Sequence, residues 1–81
     1  MERWGIYRGV VTETNDPQQR GRLKVRIPGL LGDIEIWASA CVPDPNQSAK
    51  TLKLPRPDTP VWIQFEGGDT DRPVWVGFPL E

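Results

Sequence analysis

The chain has 81 residues, a net charge of −1 and a pI of about 5.4, so its overall balance attracts neither nucleic acid nor an anionic membrane. It has no histidine and a single cysteine, Cys41, which excludes an intramolecular disulfide and a Cys/His zinc site and removes the commonest general base. No apolar run approaches the roughly 20 residues that span a bilayer.

The length suits one domain over residues 1–81, with a small core and modest stability that a partner or self-association would raise. Cysteine usage points to synthesis in a reducing compartment. Residues 1–5 carry no apolar signal-peptide core, so action outside the cell implies travel in a virion or an assembled machine.

Nine prolines and eight glycines punctuate the chain, and no stretch between them holds a helical period. The first strand-like run, Gly5–Thr14, ends at Asn15-Asp16-Pro17, a turn signal. The second, Arg20–Ile27, alternates Leu23, Val25 and Ile27 with Arg22, Lys24 and Arg26, the pattern of a half-buried strand with a basic outer face. Pro28-Gly29 stops it.

The third run is Asp33–Cys41, with Trp37 near its end and Cys41 expected as a small buried hydrophobe. A long polar connection, Val42–Thr59, follows, rich in proline and with room for a short extended piece over Lys50–Leu54. The fourth run, Val61–Glu66, sets Val61, Ile63 and Phe65 against Trp62, Gln64 and Glu66. The fifth, Pro73–Phe78, sets Val74, Val76 and Phe78 against Trp75 and Gly77. These runs, with the long proline-rich connection after the third, predict an all-β, five-stranded OB-type Greek-key barrel, whose closure removes aggregation-prone edges.

Candidate chemistry is sparse. Asp69 and Asp71 lie close together, but the ligand series of a calcium loop is absent and a solvated turn accounts for them. No metal, no cofactor and no catalytic group is expected. The basic positions Arg20, Arg22, Lys24 and Arg26 suit two readings. With Trp4, Tyr7, Trp37, Trp62 and Trp75 as stacking surfaces, they resemble a single-stranded nucleic-acid track. With Asp33, Glu35 and Glu66 on other strands, they more simply pair across the sheet or meet a protein partner. If Val61, Ile63 and Phe65 and Val74, Val76 and Phe78 face inward, Trp62 and Trp75 stand outward on neighbouring strands, as interface anchors or as covers for the barrel's end or its long loop.

Several segments together carry a family likeness. Trp4, Gly9-Val10-Val11, Asp16-Pro17 and the run Arg20-Gly21-Arg22-Leu23-Lys24-Val25-Arg26-Ile27-Pro28-Gly29-Leu30 resemble the opening of the phage baseplate spike OB domain. This is the domain at the start of the tail-lysozyme spike of contractile phages. It is similar to the barrel of baseplate assembly protein V and of the VgrG spike of type VI secretion. Trp37-Ala38, Leu54-Pro55, the run Val61–Asp69 and the run Arg72–Gly77 continue the pattern in the same order. Asp58 stands near a glycine of the family pattern, and aspartate tolerates the left-handed region that such a turn requires.

The resemblance implies a homotrimer that joins a trimeric baseplate hub to a membrane-piercing tip or β-helix protein. It implies a location in the virion tail or an injection particle, with no enzymatic step and no membrane insertion by this domain. The spike's β-helix and lysozyme parts do not follow Glu81, so the chain reads as a minimal adaptor or as part of something longer. Trp4, Arg22, Lys24, Arg26, Trp62 and Trp75 are the candidate interface residues, and a single-stranded nucleic-acid binder is the competing reading.

Overall fold

The structure is a computed structural model that describes residues 2–48, 50 and 52–80. Its strands are β1 (Tyr7–Glu13), β2 (Leu23–Arg26), β3 (Glu35–Ala40), β4 (Pro60–Phe65) and β5 (Pro73–Gly77). They close into a barrel in the order β1-β2-β3-β5-β4. All pairings are antiparallel except that of β3 with β5, where Ser39 and Ala40 lie beside Val74 and Trp75. This is an OB-type barrel, as the spacing of the runs predicts.

Alternation decides what each strand buries. On β2, Leu23 and Val25 point inward and are fully buried, with Ile27 just beyond the strand, while Lys24 and Arg26, and Arg22 just before the strand, are half-buried on the outer side. On β4, Val61, Ile63 and Phe65 enter the core and Trp62 and Gln64 do not. Val11 and Ala38 complete the filling from β1 and β3. Gly9 faces the same interior, where an added Cβ would stand 3.1 Å from the Arg26 carbonyl oxygen and 3.3 Å from Ile63.

The strand β5 has the opposite phase from that expected. Pro73 and Trp75 point inward, Val74 and Val76 are half-buried, and Phe78 is exposed. The cause is the register of the β4–β5 hairpin, which sets Pro73 opposite Phe65 and Trp75 opposite Ile63. Since Phe65 and Ile63 are core residues, their partners are too. The Trp75 indole nitrogen donates to the Gly21 carbonyl at 3.1 Å, which satisfies the one polar atom the ring takes inside.

Other expectations shift in smaller ways. The strand β2 is shorter than Arg20–Ile27, because Arg20, Gly21 and Arg22 belong to the preceding loop. Trp37 sits mid-strand in β3, not near its end. Cys41 lies just past β3 and is exposed, since alternation from the buried Ala38 turns it outward. After β2 the chain makes a single helical turn, α1 (Pro28–Leu31), with proline in its first turn, where the missing N–H costs nothing. Its Leu30 and Leu31 pack on the core. In the long connection, the described residues form no strand; Thr51, inside the anticipated extended piece, lies outside the described residues.

Two turns depend on residues held in the left-handed region. After β4, Gly67 and Gly68 both take positive φ, 59° and 76°, and the indole of Trp4 lies against Gly68 so closely that a Cβ would stand 2.8 Å from it. Before β4, Arg56-Pro57-Asp58-Thr59 forms a turn closed by the Thr59 N–H donating to the Arg56 carbonyl, with Asp58 at φ 71°. This is the type II pattern, which calls for glycine in that place. Asp58→Gly therefore relieves left-handed strain. Allowing for glycine's extra freedom in the unfolded chain, it is expected to stabilise the protein by about 0.5 kcal/mol, read as a higher Tm. A lower Tm would mean that the turn is held by the Asp58 side chain rather than strained by its backbone.

Candidate functional site

The loop between β1 and β2 is built around one carboxylate. Asp16 is buried, and its side-chain oxygens accept from the backbone N–H groups of Gln18, Arg20 and Arg22 at 2.9, 2.9 and 3.3 Å. They also accept from Arg22 Nε at 3.1 Å and Nη2 at 2.8 Å, a bidentate pair. Pro17 and the positive φ of Gln19 and Gly21 fold the intervening backbone so that its N–H groups converge on Asp16. The Arg22 guanidinium beside Asp16 holds its carboxyl well below the usual carboxylate range; burial opposes this, and the three backbone donors add to it. Asp16 raises the pKa of Arg22 in turn.

This clasp fixes one edge of a mixed face. Trp37 on β3 lies directly opposite Lys24 in the β2–β3 register. The Arg22 guanidinium carbon is 5.1 Å from the centre of the Trp37 ring, and the Lys24 ammonium is 5.6 Å from it. Arg26 is opposite Glu35. Trp37 also lines a groove of about 290 Å³, together with Arg22, Ser39, Val74, Glu66, Asp71 and Arg72. Arg72 spans Glu66 at 3.6 Å and Asp69 at 3.7 Å, both exposed and weak.

A second surface lies on the outside of β1, β4 and β5. Arg8 and Trp62 are opposite one another in register, with the Arg8 guanidinium carbon 4.8 Å from the Trp62 ring centre. Trp4 is 64% exposed; its indole nitrogen donates to Glu2, and its carbonyl accepts from the Tyr7 hydroxyl. Trp4, Cys41, Val74 and Val76 line a largely apolar groove of about 350 Å³.

The six residues singled out in the sequence thus separate into three groups. Arg22, in the loop at the entry to β2, continues the outer row of Lys24 and Arg26 on that strand. Trp4 and Trp62 stand on the outside of the β1–β4 half. Trp75 belongs to the core, so it is corrected from an outward anchor to an inward one. Sequence reasoning named Trp37 only as a possible stacking surface and Asp16 only as a turn residue, and missed the site each one organises. The signal for Trp37 was its place two residues from Glu35 on the same side of an alternating strand. The signal for Asp16 was a carboxylate before two arginines across a proline turn. Among the described residues, no group of three His, Cys, Asp or Glu is placed to hold a metal ion, and no helix is long and apolar enough to cross a membrane.

A family model described as the type VI secretion system/phage-baseplate injector OB domain matches residues 7–79. Among curated proteins, none matches the chain. The matched span runs from the first residue of β1 to past the end of β5, taking in the Asp16 clasp, the Trp37 face and all five strands of the barrel. The chain therefore belongs to the injector OB-domain family, a structural family of phage baseplates and type VI secretion rather than a class of enzyme.

Proposed function

We propose that the protein is a central-spike adaptor: a homotrimer that joins the trimeric hub at the end of a tail tube to a membrane-piercing tip or β-helix protein. Its residues 1–81 act as one domain, located in the baseplate of a virion or of a related injection particle. The work is mechanical, namely three-fold docking and transmission of force when the sheath contracts, and needs neither cofactor nor catalytic group. The observation that carries this reading is the family match over residues 7–79. The half-buried outer tryptophans and arginines are consistent with it, because Trp and Arg are the side chains most enriched at protein interfaces.

The second reading, a single-stranded nucleic-acid binder, draws on the cations around Trp37. Glu35, Glu66 and Asp71 weigh against it, since each would repel a backbone that carries a charge at every nucleotide. The test is co-purification of a tagged chain with the hub protein of its own particle. Equal copy numbers of the two, with no salt-dependent binding to a thymidine oligonucleotide, support the adaptor. Oligonucleotide binding that falls with added salt, with no hub retained, favours the second reading.

A further inference from the structure

The outer side of β2 combines three properties that do not arise from core packing. Arg22, Lys24 and Arg26 recur every second residue, so the outer two are separated by about 13 Å along the strand. Trp37 lies opposite the middle one and is half-buried, an apolar plate between two charged ends. Arg22 is already fixed, because its pair with Asp16 uses Nε and Nη2 and leaves Nη1 as a further donor. A guanidinium held in place by a buried carboxylate loses little freedom when it binds something else.

An extended chain repeats its side chains on one face with the same two-residue period. A strand with carboxylates at positions i and i+4 and an apolar residue at i+2 matches this face in both spacing and charge. Glu35, Glu66 and Asp71 lie around it, so a ligand of continuous negative charge meets repulsion that isolated carboxylates avoid.

We propose that the outer face of β2 and β3 docks an extended acidic segment of a protein partner. In this arrangement one carboxylate meets Arg22, one meets Arg26, and the apolar residue between them covers Trp37 beside Lys24. The proposal rests on the reading of this chain as a protein-binding adaptor and names the chemistry of one partner segment.

The test is a two-dimensional amide NMR titration of the whole chain with the capped peptide Glu-Thr-Leu-Thr-Glu. Shifts are expected in the β2 and β3 amides and the Trp37 indole N–H, with none from the capped peptide Lys-Thr-Leu-Thr-Lys. The double variant Lys24→Gln/Arg26→Gln, checked for an unchanged spectrum elsewhere, should weaken binding by about tenfold. Absence of shifts, shifts confined to other faces, or equal binding by the double variant would overturn the proposal. So would tighter binding of a ten-residue thymidine oligonucleotide to the same face. If the double variant still co-purifies with the hub but has lost the peptide, the adaptor reading and this docking face both stand, the segment belonging to another partner. If wild type fails to bind peptide yet retains the hub, this proposal alone fails.

Discussion

Asp16→Ala is expected to lower the unfolding free energy at neutral pH by about 3 kcal/mol, a large share of what a domain this small holds. The loss has two sources. Three backbone N–H groups and two guanidinium N–H groups lose their acceptor, and Arg22 keeps its charge against Trp37 with no counter-ion. The Asp16 side chain is only 3% exposed, but its partner Arg22 is 19% exposed and both belong to the loop before β2, so water screens part of the field and the figure stays at the low end. Arg22→Ala should cost less, because Asp16 then keeps its three backbone donors. Chemical denaturation of both variants checks the order, and an Arg22→Ala loss exceeding that of Asp16→Ala would show that the guanidinium, not the carboxylate, organises the loop.

The same clasp sets a pH dependence. The carboxyl of Asp16 titrates lower in the folded chain than in the unfolded one, so the unfolded state binds its proton first as pH falls. The stability it supplies is therefore complete above the unfolded carboxylate value of about 3.9 and is lost as pH drops below that, toward the depressed folded value. The stability gap between wild type and Asp16→Asn should be constant from pH 7 to about 5 and should shrink below about pH 4. A gap that does not change down to pH 2.5 would contradict the assignment.

Trp75→Ala is expected to remove about 3–5 kcal/mol, enough to leave the chain largely unfolded at moderate temperature. The ring is 5% exposed, and its indole nitrogen ties β5 to Gly21 at the start of β2. Trp75→Phe keeps most of the volume and loses only that hydrogen bond, so it should cost about 1–2 kcal/mol. Trp62→Ala, on the outer side of β4, should stay within about 1 kcal/mol of wild type. Urea unfolding of the three variants separates the two possible phases of β5: comparable losses for Trp62→Ala and Trp75→Ala would contradict the inward placement of Trp75.

These two residues mark the boundary of what was legible in the sequence. The strands β2 and β4 read directly, because each buries one face and alternation survives along its length. Val74, Val76 and Phe78 form an equally clean alternation, yet the hairpin register turns them outward and takes Trp75 inside. That register depends on how Glu66–Arg72 folds, with two adjacent left-handed glycines and the Glu66 N–H bonded to the Arg72 carbonyl, a geometry that composition does not encode. Asp58 was legible for the opposite reason, since one left-handed residue in a Pro-Asp turn is a local property.

The candidate site was legible in part. Its basic row followed from the period of β2, but the row's meaning depends on neighbours outside the strand: Asp16, six residues before Arg22, and Trp37 and Arg72, much farther along the chain. Arg20, which shares the period, falls out because the Asp16 clasp ends the strand before it reaches that residue. Family likeness supplied the functional class, while the geometry shows which outward residues are held by hydrogen bonds and which face they share.

The assembly proposed for this protein is three-fold, at a hub. It is tested most directly by the mass of the purified protein in light scattering across a concentration series, alone and with the hub protein of its own particle. The expected result is a trimer, or a monomer that adds three copies to each hub trimer. A persistent monomer that ignores the hub at every concentration would contradict it.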